Sequence, residues 1–355
     1  MNNFWRNKKV LITGHTGFKG GWISLFLFLL GSKVYGISNE KKVGFYKLTD
    51  LQKIFEKEFF LDLSKVEVEE LCEIFEEINP DIVFHLAAQS IVSIGFKDPV
   101  KTVETNLIGT LNVCLALSKS KPKSTLIIST TDKVYKNSAS KNLESYELDG
   151  SDFYSFSKVA VENLIELNFR YSLFDLNIGI VRSGNVLGGG DRGKDRLIVD
   201  ILESHQKNNI LKIRNKNSIR PWQYILDSAY GYLLVAENIY KSKKFNIYNL
   251  NSKTNNLHTV EKLITKFQKY FQNNFQIQYI DSNFYEKDVL TIDSSKARAE
   301  LEWNTETTLD EIVLSVVSWE NFHFENKDEN SIEYSSNEIK KFIKENQINY
   351  FLHKN

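Results

Sequence analysis

Short runs of apolar residues alternate with segments of helical period over the first half of the chain. The apolar runs predict buried strands at residues 9–13, 33–38, 59–63, 81–88, 125–131 and 177–183. The intervening segments predict helices at residues 18–30, 66–78, 100–118 and 154–171. Near-continuous apolar strands that alternate with helices are typical of a parallel sheet covered on both faces. The pattern therefore predicts a doubly wound α/β fold, whose ligand crevice lies beyond the C-terminal ends of the strands.

The pattern changes after about residue 185, where the glycine run 188–190 opens a region of shorter elements. Strands are predicted there at 211–214, 245–250 and 277–280, and helices at 227–240, 259–272 and 308–322. We interpret residues 1–185 as a Rossmann-type domain and 186–323 as a smaller α/β substrate lobe, some of whose elements can return to the first domain. Residues 324–355 are polar and charged, which predicts a solvated helix or tail.

Composition and charge exclude several classes of protein. The 355 residues are 42% hydrophobic and include 24 phenylalanines, which is ample for a packed core and excludes general disorder. The 45 basic residues equal the 45 acidic ones, whereas a nucleic-acid-binding protein normally shows a basic excess. The most apolar run, residues 22–30, falls far short of the ~20 residues that span a membrane. We therefore expect neither nucleic acid nor a membrane as a partner.

The cysteines and histidines suggest no metal or disulfide chemistry. Cys72 and Cys114 lie far apart in predicted helices, which excludes a disulfide framework and a thiolate zinc site. The six histidines lack metal-ligand spacing, so no metal is expected. The basic N-terminal residues run into a strand without the apolar stretch of a secretory signal. We therefore expect a cytoplasmic location.

A glycine-rich turn connects the first predicted strand to the first helix. Gly14, Gly17 and Gly20 have the spacing G-x-x-G-x-x-G. Glycines permit a tight turn and close backbone approach, and the helix N-terminus then faces the pyrophosphate of a dinucleotide. The candidate cofactor loop consists of Gly14, His15, Thr16, Gly17, Phe18, Lys19 and Gly20.

An acidic partner for the adenosine ribose is expected near the end of the second strand. Glu40 is the candidate, and no arginine lies near Ser38, which favours NAD over NADP. Asp62 and Leu63 end the third predicted strand, where a carboxylate could accept a hydrogen bond from the adenine amino group. The alternative interpretation is that Asp62 only caps a helix or a strand-end turn.

Tyr154 and Lys158 form a Tyr-x-x-x-Lys motif at the start of a predicted helix. Residues four apart share one helical face, so the ammonium can lie beside the phenol. A tyrosine that acts as a base near neutrality needs its pKa lowered by about 3 units, or about 4 kcal/mol. A neighbouring cation and a positively charged nicotinamide ring would supply much of that. The motif is common in helices, so its meaning depends on its surroundings.

Polar residues cluster where the fifth predicted strand ends. Thr131, Asp132 and Lys133 lie at the edge where a doubly wound fold binds its ligand. Hydroxyl groups there can bond a substrate alcohol, while Asp132 and Lys133 offer an acid/base pair. The alternative is that these residues only cap the strand end. Asn106, within the predicted helix 100–118, either bonds backbone or water near this site or faces solvent.

Several motifs together resemble one enzyme family. They are F-W at 4–5, K-V-L-I-T-G-H-T-G-F-K-G at 9–20, H-L-A-A-Q at 85–89, T-D-K at 131–133, R-S-G-N-V-L-G-G-G-D at 182–191 and I-R-P-W-Q at 219–223. With Tyr154 and Lys158, they are similar to the CDP-glucose 4,6-dehydratases of the extended short-chain dehydrogenase/reductase superfamily. The resemblance runs from residue 4 to about 320. It implies a Rossmann-type fold, bound NAD and dehydration of a nucleotide hexose.

The resemblance also implies a role for each site residue. Tyr154 removes the 4-hydroxyl proton as hydride passes from C4 to NAD, and Thr131 bonds the 4-oxygen. Asp132 protonates the leaving 6-hydroxyl, and Lys133 takes the position of the base. Hydride then returns to C6, which gives a 4-keto-6-deoxy sugar. The resemblance adds Leu86, Ala87, Ala88, Gln89 and Asn106 to the cofactor residues, and assigns substrate binding to Ser90, Asn185, Arg192, Arg196, Arg220 and Trp222.

Two segments depart from the family pattern. Segment 134–152 is short, lacks a Trp- and Gly-rich stretch and ends in Asp152-Phe153 rather than Asp-Pro. Ser90 and Ser93 stand where the family has proline and arginine. These positions lie beside the glucose and nucleotide sites in the resemblance, so a related nucleotide hexose is an alternative to CDP-glucose.

Lys133 poses a physical difficulty at the position of the base. A free lysine, with a pKa near 10.4, is protonated at neutral pH and cannot accept a proton. Either nearby positive charges make it a neutral base, which we prefer, or it acts as a cation that stabilises an enolate.

Two other functions remain open. An extended-family epimerase or reductase uses the same tyrosine and lysine, although it does not need an Asp-Lys pair after the fifth strand. A non-catalytic NAD-binding protein would usually have lost Tyr154 or Lys158. The presence of every required group favours the dehydratase.

The resemblance finally implies a homodimer that forms through a four-helix bundle. The helices concerned are those predicted at 100–118 and 154–171. Their leucines at helical spacing are Leu107, Leu111, Leu115, Leu164 and Leu167. Some of these side chains could instead pack on the sheet.

Overall fold

Parallel strands form the central sheet of the chain in this computed structural model. The structure describes residues 3–41, 44–136, 141–251, 257–271, 275–280, 289–325 and 331–350. Its strands are β1 Lys9–Thr13, β2 Lys33–Ser38, β3 Phe55–Phe60, β4 Ile82–His85, β5 Thr125–Thr131, β6 Asn177–Ser183, β7 Val186–Leu187, β8 Leu211–Ile213, β9 Ile219–Pro221, β10 Gln223–Tyr224, β11 Asn246–Leu250, β12 Leu257–Thr259 and β13 Ile277–Tyr279.

Seven of these strands pair in the order β3-β2-β1-β4-β5-β6-β11, and all of their pairings are parallel. The order reverses on either side of β1, as in a doubly wound Rossmann-type fold. Three small two-stranded sheets, β7 with β10, β9 with β12 and β8 with β13, lie in the later part of the described chain. The predicted fold class is therefore confirmed.

Helices connect the strands and cover both faces of the sheet. They are α1 Phe18–Leu29, α2 Phe45–Leu48, α3 Val68–Ile78, α4 Val92–Lys97, α5 Pro99–Val103, α6 Gly109–Ser120, α7 Phe153–Tyr171, α8 Leu197–Lys207, α9 Ile225–Ser242, α10 Val260–Phe271, α11 Ser295–Leu301, α12 Leu309–Glu325 and α13 Ser331–Glu345. A π-helical turn, Glu104–Ile108, joins α5 to α6. Within the described ranges, no helix combines the length and the apolar character that crossing a bilayer requires.

Two apolar cores flank the sheet. On one face, α1, α9, α12 and α13 bury residues such as Trp22, Leu233 and Phe342. On the other face, α3, α6 and α7 bury residues such as Leu71 and Val161. Alternate side chains of the inner strands enter opposite cores, which explains their continuous apolar sequences. The polar ends of β1, β4, β5 and β6 lie at the C-terminal edge of this sheet.

The third strand and the chain's last described helix differ from the sequence predictions. Strand β3 runs from 55 to 60 rather than 59 to 63, because this sheet-edge strand begins with a charged stretch, Glu56 to Glu58, that hides it in the sequence. Helix α13 is not a solvated tail, since Ile339, Phe342 and Ile343 are buried against the first core. Strand β11 returns to the sheet beside β6, while the division of the chain at residue 185 stays a prediction.

Candidate active site

The glycine turn after β1 is shaped by contacts that a side chain would prevent. Gly14 has φ +75°, and a Cβ there would lie 2.8 Å from the amide nitrogen of Ala87. A Cβ on Gly20 would overlap with the carbonyl oxygen of Gly14. Helix α1 begins after Gly17 with no side-chain cap, so its N-terminal backbone amides face the crevice without a capping side chain. Tight packing and an uncapped helix end fit the pyrophosphate of a dinucleotide.

His15 and Thr16 connect this turn to the neighbouring strands. His15 Nε2 lies 2.8 Å from Glu58 Oε1, and Nδ1 lies 3.1 Å from the Ser38 hydroxyl. Burial is the largest influence on the ring and lowers its pKa. Thr16 Oγ1 donates to the Glu40 carbonyl at 2.9 Å. In this structure both side chains therefore hold the turn in place.

Asp62 follows β3 as a turn residue. Its Oδ1 accepts hydrogen bonds from the backbone amide of Ser64 at 3.0 Å and from the Ser64 hydroxyl at 2.7 Å. Leu63 is 7% exposed and joins the second core. The geometry matches the alternative interpretation of Asp62 as a turn-capping residue, and contact with an adenine stays a prediction.

Asn106 lies in the π-helical turn and is fully buried. Its amide exchanges two hydrogen bonds with the backbone of Gln89, at 2.8 and 3.0 Å, and donates a third to the Ser157 hydroxyl at 2.8 Å. The turn thereby fastens the segment after β4 to α7. π-Turns inside helices often mark functional sites. The alternative that Asn106 faces solvent is wrong.

Tyr154 and Lys158 lie in the first turns of α7, which begins with a reciprocal cap between Asp152 and Ser155. The Tyr154 phenol is hydrogen-bonded to the Thr131 side chain, and the Lys158 ammonium donates to the Ser129 carbonyl at 2.9 Å. Burial raises the pKa of Tyr154. Burial, followed by the nearby charge of Lys19, lowers the pKa of Lys158 to about 8.

A single 3₁₀ turn follows β5 and carries the other catalytic candidates. Thr131 Oγ1 donates to Asp132 Oδ1 at 3.1 Å and accepts the backbone N–H of Lys133 at 3.3 Å. Asp132 is 3% exposed, and a Cβ on Gly184 would lie 2.9 Å from its Oδ2. Lys133 is half-buried, and its amine has no hydrogen bond or ion pair with any part of the chain described here. The structure thus brings Thr131, Asp132 and Tyr154 together.

Lys19 occupies a different place from the one that its motif indicates. Its ammonium donates to the Ser183 hydroxyl at 2.7 Å and to the Tyr232 hydroxyl at 3.4 Å. The Tyr232 oxygen in turn lies 2.6 Å from Ser129 Oγ. The sequence does not indicate this contact, because Tyr232 belongs to α9 and is distant from Lys19 along the chain.

A buried ion pair, missed by the sequence interpretation, lies beside the catalytic helix. Arg182 Nε donates to both carboxylate oxygens of Glu162, at 3.1 and 3.0 Å. Thr130 donates to the same carboxylate at 2.7 Å, and Arg182 Nη1 donates to the Tyr135 hydroxyl at 2.7 Å. Both charged side chains are nearly inaccessible to solvent. The pair joins β5, β6 and α7.

Arg192 and Arg196, which the resemblance assigns to substrate binding, form ion pairs within the chain. Arg192 binds the buried carboxylate of Glu320 through both Nη atoms, at 2.8 and 2.5 Å. Arg196 pairs with Asp191 at 2.8 Å and lies 3.4 Å from the Ser90 hydroxyl. Arg192 is therefore held by a two-pronged ion pair, and Arg196 reaches the predicted substrate residue Ser90.

The Arg220–Trp222 segment contributes to the interior. Arg220 is 7% exposed and donates to the Ile219 carbonyl at 3.0 Å. Trp222 is 3% exposed, packs in the first core and donates to the His258 carbonyl at 3.0 Å. The backbone carbonyl of Asn185 accepts a hydrogen bond from the backbone N–H of Gln223 at 3.0 Å. The Trp222 indole is thus held within the chain, and its contact with a substrate stays a prediction.

A doubly wound sheet with a glycine turn after β1 and a Tyr-x-x-x-Lys helix beside β5 defines the extended short-chain dehydrogenase/reductase class. Within that class, the chain belongs to the GDP-mannose 4,6 dehydratase family, whose model matches residues 11–316. Across the described segments, no three His, Cys, Asp or Glu side chains gather as metal ligands.

Two individual proteins are similar to the chain in sequence and one solved structure is similar in fold. CDP-glucose 4,6-dehydratase of Salmonella typhimurium is 34% identical, over 89% of this chain and 91% of that protein. UDP-glucuronate 4-epimerase of Thermodesulfobacterium geofontis is 26% identical, over 87% and 95%. The fold matches a crystal structure of UDP-glucose-4-epimerase from Stenotrophomonas maltophila with bound NAD and formylated UDP-arabinopyranose, with a TM-score of 0.79, 18% identity and coverage of 90% and 99%.

Proposed function

We propose that the chain is an NAD-dependent nucleotide-sugar 4,6-dehydratase whose substrate is CDP-glucose. One observation carries the proposal: the buried Asp132, followed by Lys133, adjoins the Thr131–Tyr154 hydrogen bond at the end of β5. Dehydration needs an acid and a base in addition to the tyrosine, whereas exchange of hydride at C4 does not. The 34% identical relative is a CDP-glucose 4,6-dehydratase, which supports the choice of substrate.

The residues around the glycine turn fit NAD. The uncapped start of α1 suits the pyrophosphate, and the segment Leu86 to Gln89 borders the same turn through the contact between Gly14 and Ala87. When bound, NAD supplies a reversible acceptor for a hydride. The side chains of His15, Thr16 and Asn106 stabilise the glycine turn and the segment after β4 through the hydrogen bonds described above.

Oxidation at C4 depends on Tyr154, Lys158 and Thr131. The Tyr154 phenolate takes the proton of the 4-hydroxyl group while C4 loses hydride, so that a 4-ketone forms. The Thr131 hydroxyl, already bonded to the phenol, orients the 4-oxygen. The Lys158 ammonium favours the charged phenolate electrostatically. The ketone then makes the C5 proton acidic.

Elimination depends on Asp132 and Lys133. Asp132 gives its proton to the 6-hydroxyl group, which leaves as water, while the C5 proton is removed on the side of Lys133. Return of hydride to C6 and of a proton to C5 completes the reaction, so its net result is loss of one water and no change in redox state. Lys133 acts either as a neutral base or as a cation that stabilises the enolate.

The contacts around Ser90 and Ser93 bear on substrate specificity. Ser93 donates to Asp195 Oδ2 at 2.7 Å, beside the approach of Arg196 to Ser90. These bonds join the segment after β4 to the loop before α8, next to the crevice. We assign nucleotide recognition to this junction and to Arg220. A different nucleotide hexose remains the alternative substrate, and Asn185 the candidate sugar contact.

Epimerisation at C4 is the second candidate function. It is favoured by the UDP-glucuronate 4-epimerase relative, which covers 87% of the chain, and uses the same Tyr154 and Lys158. An epimerase returns the hydride to C4 and retains the 6-hydroxyl group. The fate of that hydroxyl therefore distinguishes the two functions.

We also propose a homodimer built on α6 and α7. Ile108, Phe156 and Leu167 are 37%, 51% and 44% exposed on this part of the chain, as expected for a face that a partner covers. Leu107, Leu111, Leu115 and Leu164 instead pack partly against the second core. Sedimentation should give twice the mass of the 41.2 kDa chain.

The free thiols of Cys72 and Cys114 support the expected cytoplasmic location.

An NMR time course of the purified protein with NAD tests the function and the substrate together. CDP-glucose is compared with dTDP-, GDP- and UDP-hexoses under the same conditions. We expect a CDP-4-keto-6-deoxyglucose spectrum without net NADH. Dehydration of a different nucleotide sugar would support the proposed reaction and identify that sugar as the substrate instead of CDP-glucose. Inversion at C4 with the 6-hydroxyl group retained would establish the epimerase.

A further inference from the structure

Two ammonium groups approach the end of β5 from opposite sides of the sheet. Lys158 comes from α7 and donates to the Ser129 carbonyl at 2.9 Å. Lys19 comes from α1 and reaches the hydroxyl groups of Ser183 and Tyr232, at 2.7 and 3.4 Å. The Tyr232 hydroxyl lies 2.6 Å from Ser129 Oγ. Ser129 therefore contacts Lys158 through its backbone carbonyl, and its side chain reaches Lys19 through the Tyr232 hydroxyl.

Contacts with neighbouring side chains fix the position of the Lys19 ammonium. Its ammonium lies 5.0 Å from the centre of the Tyr232 ring, an arrangement that favours a cation. Tyr232 and Ser183 are buried in the described chain, at 0% and 4% exposure. The contacts of the Lys19 ammonium with described residues include no carboxylate. Its charge consequently acts on its surroundings without a neutralising ion pair.

The charged groups around Lys158 come from several elements. Glu162 on α7 favours the protonated amine, while Lys19 on α1 opposes it. His85 on β4 is neutral, because burial and the charge of Lys158 lower its pKa to about 3. Burial and, after it, Asp132, Tyr232 on α9 and Asp152 raise the pKa of Tyr154. Lys19 is therefore the positive charge that acts on Lys158 from outside α7.

We propose that Lys19 is a positioning residue for the reaction: its ammonium, held by Ser183 and Tyr232, sets the pH range in which Tyr154 and Lys158 work. This inference rests on the proposed function for its catalytic consequence. A nearby positive charge favours loss of a proton both from a phenol and from another ammonium. Removal of the Lys19 charge therefore shifts both titrations to higher pH.

The test compares the pH dependence of kcat for the wild-type holoenzyme and Lys19→Met, a variant of similar length without charge. We expect both limbs of the profile to move upward by about one pH unit, the scale of one unit charge acting at several ångströms inside a protein. Lys19→Arg keeps the charge and should restore the wild-type limbs. Reduced kcat with unmoved limbs in Lys19→Met would overturn the proposal.

A second readout does not depend on turnover. Protein labelled with ¹³C at the lysine ε-carbons is titrated by NMR, and the Lys158 signal is identified by its loss in Lys158→Arg. We expect the Lys158 titration to lie about one pH unit higher in Lys19→Met than in the wild type. Identical titrations would refute the inference. A normal shift in a protein that dehydrates no nucleotide sugar would refute the proposed function alone.

Discussion

Tyr154 and Lys158 are both buried, and burial disfavours the charged form of each side chain. The pKa of the phenol rises, while that of the ammonium falls to about 8. The hydrogen bond between the phenol and the Thr131 side chain lowers the pKa of Tyr154. The phenolate that the reaction needs must therefore be stabilised by positive charge within the site. Lys158 and Lys19 are two ammonium groups that approach this end of β5.

Lys158→Met tests the free-energy cost of burying that ammonium. The folded-state pKa of about 8 is lower than the ordinary value of 10.5, so the unfolded chain binds the proton more tightly. The penalty to folding is thus fully present below the folded-state pKa, and disappears as the pH rises through the unfolded-state value. We expect the variant to be inactive, with a free energy of unfolding about 1–3 kcal/mol higher at neutral pH.

Urea unfolding measures this difference, and the gain should shrink as the pH approaches 10.5. Lys133→Met is the matched control, because this half-buried lysine has no bonded partner in the described chain. The free energy of unfolding of Lys133→Met should differ from the wild-type value by less than about 0.5 kcal/mol. A Lys158→Met protein that unfolds more readily than the wild type would show that its bond to Ser129 outweighs desolvation.

Asp132→Asn separates oxidation from elimination. The amide retains the size of the buried side chain but has no carboxylic proton to give to the 6-hydroxyl group. We expect C4 oxidation to persist in a single turnover, seen as transient absorbance of the reduced cofactor, while water loss slows by about 100-fold or more. Stopped-flow absorbance and product NMR measure the two steps. Water loss at the wild-type rate would remove Asp132 from the mechanism.

At the scale of elements, the Glu162–Arg182 pair holds α7 against the ends of β5 and β6. Removal of one partner leaves the other charge buried without compensation. We expect Arg182→Met to lower the free energy of unfolding by about 3–5 kcal/mol. The double variant Glu162→Met/Arg182→Met should recover much of that loss, because it buries no charge.

Denaturant unfolding of these variants includes an exposed pair on the same helix as a control. Arg170 pairs with Glu166 at 3.0 Å with both side chains more than half exposed, so Arg170→Met should cost less than about 0.5 kcal/mol. An Arg182→Met protein as stable as this control would contradict the structural role of the buried pair.

Most strands and amphipathic helices were predictable, whereas β3 and the buried face of α13 were not. Strands β1, β2, β5 and β6 have the predicted bounds. β3 was displaced because a sheet-edge strand tolerates charged residues such as Lys57. In α13, Ile339, Phe342 and Ile343 have helical spacing, but the charged residues between them hid the buried face.

At the scale of the whole molecule, the parallel topology gathers segments that are distant along the chain at one sheet edge. Thr131, Asp132, Tyr154 and Lys158 were predictable because each follows a strand or begins a helix at that edge. The contact of Lys19 with Tyr232 was not, since it joins residues 213 positions apart. Sequence periodicity specifies which face a residue occupies, but not which distant side chain it meets.

The transfer of hydride from C4 to C6 is the central claim, and an isotope label follows it directly. CDP-glucose carrying deuterium at C4 is incubated with the protein and NAD, and the product is read by deuterium NMR and mass spectrometry. A dehydratase places the deuterium in the C6 methyl group of a product that is one water lighter. Deuterium that stays at C4 of a hexose with its 6-hydroxyl group intact would contradict the account.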